Sequence, residues 1–223
     1  MSKLFAASDS EVPEFHELLR GYERFRHDGY PKQRERYEKL VAEGQHPKLM
    51  IIGCSDSRVD PAQIFDVDPG EIFVVRNVAA LVPPYETTPG QHGVSAAVEF
   101  AVQVLKVRQI VVMGHGMCGG CKAALTQDLR GNAPGEGGFI ANWVHLLDEA
   151  REPVAAKHGT EGREAERAME LAAVGVSIEN LRTFPFVREA EQRGDLKLRG
   201  TFFAISEGVL HVRNEETGAF EAV

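Results

Sequence analysis

Cys54, His115 and Cys118 are the residues of this chain best suited to chemistry. Two thiolates and an imidazole are ligands for zinc. Three protein ligands leave a fourth tetrahedral position open for water, as in catalytic rather than structural sites. The His115-x-x-Cys118 spacing lets both residues of one loop reach a single ion. Cys121 would close the set as a fourth ligand, but it comes three residues after Cys118, where a helix is expected. Asp56 and Arg58 could be a surface ion pair of little consequence. Beside a metal they could instead face one another, with Arg58 keeping Asp56 ionised and oriented toward a bound water.

The same residues fit two other patterns. Gly114-x-Gly116-x-x-Gly119 after a strand matches a dinucleotide phosphate loop. The acidic partner expected some twenty residues on would be Glu136, which falls in a glycine-rich loop rather than at a strand end. Cys118-Gly119-Gly120-Cys121 matches the Cys-x-x-Cys of thiol oxidoreductases. Neither pattern gives Cys54 a role.

The elements that must position these residues are set by periodicity. Phe15, Leu18, Leu19, Tyr22 and Phe25 recur at helical spacing over 11–26, and a charged helix is expected over 31–43. Apolar runs at 48–52, 71–75 and 109–113 predict buried strands, the second entered by the turn Asp68-Pro69-Gly70. Helices are expected over 92–106, 139–157, 162–173 and 176–193, with a glycine-rich loop at 131–138. Strands over 198–205 and 208–213 are close enough to form a hairpin. This alternation predicts an α/β fold, a mainly parallel β-sheet flanked by helices with a C-terminal antiparallel edge strand. A single domain over 1–223 is expected, made of an N-terminal helical arm (1–43) and a core (44–215). Strand 48–52 runs into the Cys54 loop and strand 109–113 into the His115 loop, at the carboxyl ends where such sheets bind ligands.

Composition narrows the classes. The 223 residues are 43% hydrophobic, with 25 basic and 33 acidic side chains and a net charge of −8. Disorder is excluded, and the acidic balance argues against a nucleic-acid partner. No apolar run reaches the roughly 18 residues of a membrane span. The three cysteines cannot all pair within one chain, and Met1–Phe5 opens no secretory signal. Reduced thiols in the cytoplasm are therefore expected.

Taken together, Cys54-Ser55-Asp56-Ser57-Arg58 and the later His115-x-x-Cys118-Gly119-Gly120 resemble the β-class carbonic anhydrases. The resemblance runs on through Pro69-Gly70-Glu71, Arg76-Asn77-Val78-Ala79, Val82-Pro83-Pro84, Gly93 to Phe100 and Arg182 to Val187, and covers roughly residues 30–215. It implies reversible hydration of carbon dioxide to bicarbonate and a proton, with one zinc per subunit held by Cys54, His115 and Cys118. Asp56 and Arg58 would act as a dyad, Asp56 binding zinc only in a closed state. The carbon dioxide cleft would comprise Gln45, Phe73, Val78, Phe100 and Gly119, with Phe100 lent by a neighbouring subunit of a homo-oligomer built from dimers. Gln45 and Phe100 match the plant-like branch. Relatives with a non-catalytic bicarbonate pocket carry Trp three residues before the first cysteine, and Ile51 stands there instead. An open zinc site and weak bicarbonate inhibition are expected. Carbonyl sulfide or carbon disulfide would suit the same site, as would a non-enzymatic zinc scaffold. Two thiolates cancel the ion's charge, so activity should rise from pH 7 to pH 9.

Overall fold

The computed structural model describes residues 13–223 and divides into two compact units, Met1–Gln45 and His46–Val223. Residues 11 and 12 of the expected first helix, and Met1–Phe5, lie outside the described residues.

In the first unit, α1 (Pro13–Arg24) passes through a π-helical turn (Phe25–Gly29) into α2 (Tyr30–Glu43). Phe15, Leu18, Tyr22 and Phe25 are exposed despite their helical periodicity. The rings of Tyr30 and Tyr37 stack with centroids 5.4 Å apart, and Phe25 meets both edge-on.

A six-stranded sheet forms the second unit, in the order β2-β1-β3-β4-β5-β6. Its strands are β1 (Leu49–Cys54), β2 (Ile72–Asn77), β3 (Gln109–His115), β4 (Lys197–Ala204), β5 (Val209–Arg213) and β6 (Phe220–Ala222). The pairs β1–β2, β1–β3 and β3–β4 are parallel, whereas β4–β5 and β5–β6 are antiparallel. The expected hairpin is present, and the antiparallel edge is β6, a strand of three residues too short for a periodic signal.

Helices cover both faces: α3 (Pro61–Ile64), α4 (Gly93–Glu99), α5 (Gly119–Thr126), α6 (Gly138–Val144), α7 (Asp148–His158), α8 (Arg163–Thr183) and α9 (Pro185–Gln192). Met50, Ile52, Ile110 and Val112 belong to one apolar cluster, with Val98, Ile178 and Leu181. Ile51 and Met113 belong to the other, with Leu125, Leu147 and Met169.

The expected helix break at 174–175 is absent, since α8 runs through Gly175 to Thr183. A mid-helix glycine costs about 1 kcal/mol, and burying Met169, Val174, Ile178 and Leu181 recovers roughly 1.5–3 kcal/mol apiece. The break falls at Phe184 instead, which is extended (φ −71°, ψ 118°) because Pro185 comes next. The expected helix over 139–157 is likewise two helices, α6 and α7, joined by a 3-10 turn over His145–Leu147.

Three strands run further than the apolar pattern predicts. Cys54 pairs with Asn77 and His115 with Phe203, so two of the three metal-ligand candidates end strands rather than sit in loops. Packing accounts for Gly114: a Cβ there would lie 2.6 Å from Val174 Cγ2 of α8. That close approach explains the first glycine of the dinucleotide pattern without a phosphate.

Candidate metal centre

The ends of β1 and β3 are adjacent, with Gly53 opposite Met113. Cys54 therefore lies level with Gly114, one residue short of His115. Cys118 caps the start of α5 from an extended backbone (φ −75°, ψ 116°). One ligand atom from each of Cys54, His115 and Cys118 lies within 4.8 Å of the others, and all three residues are buried. Cys121, inside α5, is outside this group among the described residues, so it does not close the site. All three cysteines are free thiols.

The donor set fits zinc. His115 Nδ1 lies 2.9 Å from the Gly116 carbonyl oxygen, which holds the proton on Nδ1 and leaves Nε2 as the free donor. That Nε2 is buried and has no hydrogen-bond partner. The Cys118 sulfur and burial push the Cys54 thiol up to about 12. Cys118 is pushed up to about 12 by the Cys121 sulfur, with burial adding to it. A divalent cation reverses this balance, because a coordinated thiol loses its proton outright.

Around the ligands the backbone is held at several points. Arg76, opposite Gly53 on β2, donates to the carbonyls of Cys54 (2.9 Å) and Asp56 (2.7 Å) and to Asp60 Oδ2 (3.0 Å). Asp60 in turn accepts from the Ala62 and Gln63 N–H groups at the start of α3. Arg58 grips Asp56 in a fork, Nε to Oδ1 at 2.9 Å and Nη2 to Oδ2 at 2.7 Å. The Arg58 backbone N–H also donates to Oδ1. Those bonds from Arg58 hold the Asp56 carboxyl well below the usual carboxylate range. Arg58 Nη2 further donates to the Met117 carbonyl at 3.1 Å, bridging the two site loops.

Met117 is a non-glycine residue at φ 58°, a conformation costing about 1–3 kcal/mol. Glu170 of α8 helps fix it there. Its Oε1 accepts the Cys118 N–H at 3.1 Å, and its side chain is 1% exposed. Burial pushes the Glu170 pKa up, partly offset by the Cys118 N–H and by Arg163.

Val78 and Gly119 flank the cluster. Val78 comes directly after Asn77, the partner of Cys54, and Gly119 directly after Cys118. Phe73 is elsewhere: it pairs with Met50, four residues before Cys54, about 13 Å back along the strand. Phe100 lies with it, ring centroids 5.9 Å apart. The cleft implied by the resemblance is therefore divided within one chain. Gln45 ends the first unit.

Arg76, Asn77, Trp143 and Glu170 carry support roles that residue type and spacing did not assign. For Glu170 a signal existed: a carboxylate in line with Ala173, Val174 and Leu181 on the apolar stripe of one helix. For Trp143 there was none.

The carbonic anhydrase family profile matches residues 49–210. Beta carbonic anhydrase 3 of Arabidopsis thaliana is 36% identical over 189 residues, 84% of this chain and 72% of that protein. Among solved structures, the β-carbonic anhydrase CcaA superposes with a TM-score of 0.86 at 31% identity, covering 95% of this chain and 93% of that one. The Coccomyxa β-carbonic anhydrase in complex with acetazolamide gives 0.73 at 33% identity, over 87% and 83% of the two chains. A tetrameric β-carbonic anhydrase of Sordaria macrospora gives 0.76 at 29% identity, over 95% and 100%. The chain belongs to the β-class carbonic anhydrases. Its activity is the zinc-dependent reversible hydration of carbon dioxide to bicarbonate, and zinc is its cofactor.

Proposed function

We propose a division of labour among these residues. Cys54 Sγ, His115 Nε2 and Cys118 Sγ hold the ion, and the three donor atoms within 4.8 Å of one another carry this reading. Zinc supplies acidity to a water that is otherwise far too weak an acid near neutral pH. Asp56 orients that nucleophile. Oδ1 accepts twice from Arg58, from its Nε and its backbone N–H, and Oδ2 once, so Oδ2 keeps a lone pair to accept from the attacking oxygen. Arg58 keeps Asp56 ionised and fixes its plane, and a carboxylate so engaged would leave a bound zinc its open fourth position. Ile51, buried on β1, fits the same reading and the weak bicarbonate inhibition expected with it.

Carbon dioxide carries no net charge, so an apolar slot beside the nucleophile is enough to bind it. Val78 and Gly119 wall one side. Phe100, with Phe73 beside it, completes it from a partner subunit, making the working unit a homodimer or an assembly of dimers; Gln45 belongs to the cleft as the resemblance implies. The distance of Phe73 from Cys54 along the sheet and the exposure of Phe100 (42%) support this division. So does the outer edge of β2, which has no strand beside it among the described residues. No helix among the described residues is long and apolar enough to cross a membrane. Three free, buried cysteines support a reducing compartment, the cytoplasm.

The test is zinc content measured together with hydration rate, on the wild type and on Cys118→Ser. Loss of both together is expected. Full hydration by zinc-free Cys118→Ser would overturn the assignment.

A further inference from the structure

The backbone just beyond β2 is strained and heavily pinned. Ala79 and Ala80 take φ values of 64° and 55°, a region favouring glycine, and both are buried. Such a conformation persists only where the surroundings over-determine it. Here Asn77 spans the turn, donating to the Leu81 carbonyl and accepting from the Leu81 N–H, both at 2.8 Å. Ser177 Oγ donates to the Ala80 carbonyl and accepts from the Val82 N–H. Asn180 donates to the Val82 carbonyl at 2.8 Å.

These three residues pin the far side of the turn. The near side, Val78, is held by Trp143 of α6, whose indole N–H donates to the Val78 carbonyl at 2.8 Å. The Trp143 ring packs against the apolar cluster that contains Cys54, Ala79, Cys118 and Cys121. The Val78 side chain meets α5, where a Cβ on Gly120 would lie 2.6 Å from Val78 Cγ1 and 3.0 Å from Ala79 Cβ. Val78 is thus held at its carbonyl by an indole of α6 and met at its side chain by a bare glycine of α5, two residues after Cys118.

We propose that Trp143 is a positioning residue for substrate binding, which acts by fixing the Val78 wall of the carbon dioxide slot through its hydrogen bond to the Val78 carbonyl. The inference rests on Val78 lining that slot. A wall that binds ground state and transition state alike sets KM rather than kcat.

The experiment is a double-mutant cycle on the zinc-loaded enzyme, with Trp143→Phe, Val78→Ala and the pair. Trp143→Phe should lower kcat/KM for carbon dioxide about threefold to tenfold, the effect of one hydrogen bond. The loss should appear in KM, with kcat at high buffer and zinc content unchanged. In the Val78→Ala background the same change should add nothing further. An equal loss in both backgrounds overturns the role of Trp143 while leaving Val78 in the slot. A Val78→Ala enzyme with wild-type kinetics overturns the slot assignment, and this inference with it. A fall in kcat and zinc content together marks Trp143 as a structural residue only and also overturns the proposal. The chain has a single tryptophan, so residue-specific replacement by benzothienylalanine, which puts sulfur in place of the indole N–H at nearly the same shape, repeats the measurement should Trp143→Phe fail to fold.

Discussion

Replacing Arg76 by alanine tests whether the metal-bearing end of β1 is held by its neighbour strand. Arg76 donates to two backbone carbonyls, those of Cys54 and Asp56, and its side chain is 29% exposed. Hydrogen bonds involving a charged group contribute about 1.5–3 kcal/mol each. Partial exposure argues for the low end, so the pair is worth about 3 kcal/mol. For a chain of this length each kcal/mol shifts Tm by about 2–4 °C, and Arg76→Ala should melt about 6–12 °C lower. Asp60 loses a partner but is not stranded, because its side chain is 45% exposed and still caps α3. Zinc should bind about 10- to 100-fold more weakly, as is usual when a group supporting a ligand is removed. Arg76→Lys, with one compact cation in place of a fork, should fall between the two. Thermal melting of the zinc-loaded protein and competition with a coloured chelator measure both quantities. A Tm within about 2 °C of wild type together with unaltered zinc competition would refute the reasoning.

Other outcomes are set by the same geometry. Gly120→Ala forces a Cβ to 2.6 Å from Val78 Cγ1 and should destabilise by about 1–3 kcal/mol, read from the urea midpoint. Asp56→Ala should retain zinc while lowering kcat/KM at least tenfold, roughly the worth of one oriented acceptor; metal analysis beside stopped-flow hydration separates the two. Chelator removal of zinc should abolish hydration, and added zinc should restore it. Arg58 lowers the folded pKa of Asp56, so the stability it lends is present above about pH 4 and disappears as acid protonates the folded carboxyl. Acid titration of Asp56→Asn against wild type should show the two curves converging at low pH. Asp56 therefore stays ionised throughout the working range, and the expected rise in activity from pH 7 to pH 9 should survive in Asp56→Glu.

Much of the site could be read from residue type and order. Cys54, His115 and Cys118 come after apolar runs, and parallel strands bring the residues at their carboxyl ends to one edge of the sheet. The strand ends were harder to see. Gly53 and Gly114 interrupt the apolar pattern, while the ladder to Asn77 and Phe203 continues regardless of side chain. Supporting residues were mostly illegible for a different reason. Arg76 and Trp143 act through backbone carbonyls of residues 20 to 65 positions away, and a carbonyl has no identity in a sequence. The separation of Phe73 from Cys54 was hidden too, because register alone sets it.

Cys54 and His115 end neighbouring parallel strands, so the spacing of the two backbones that carry these donors derives from the pitch of a β-ladder, about 4.8 Å. That pitch is common to every sheet and cannot be widened by choosing other side chains nearby. Sequence drift can therefore alter the covering helices while the spacing of the two strand ends stays constant. Only Cys118, on its short strained loop, is left to adapt.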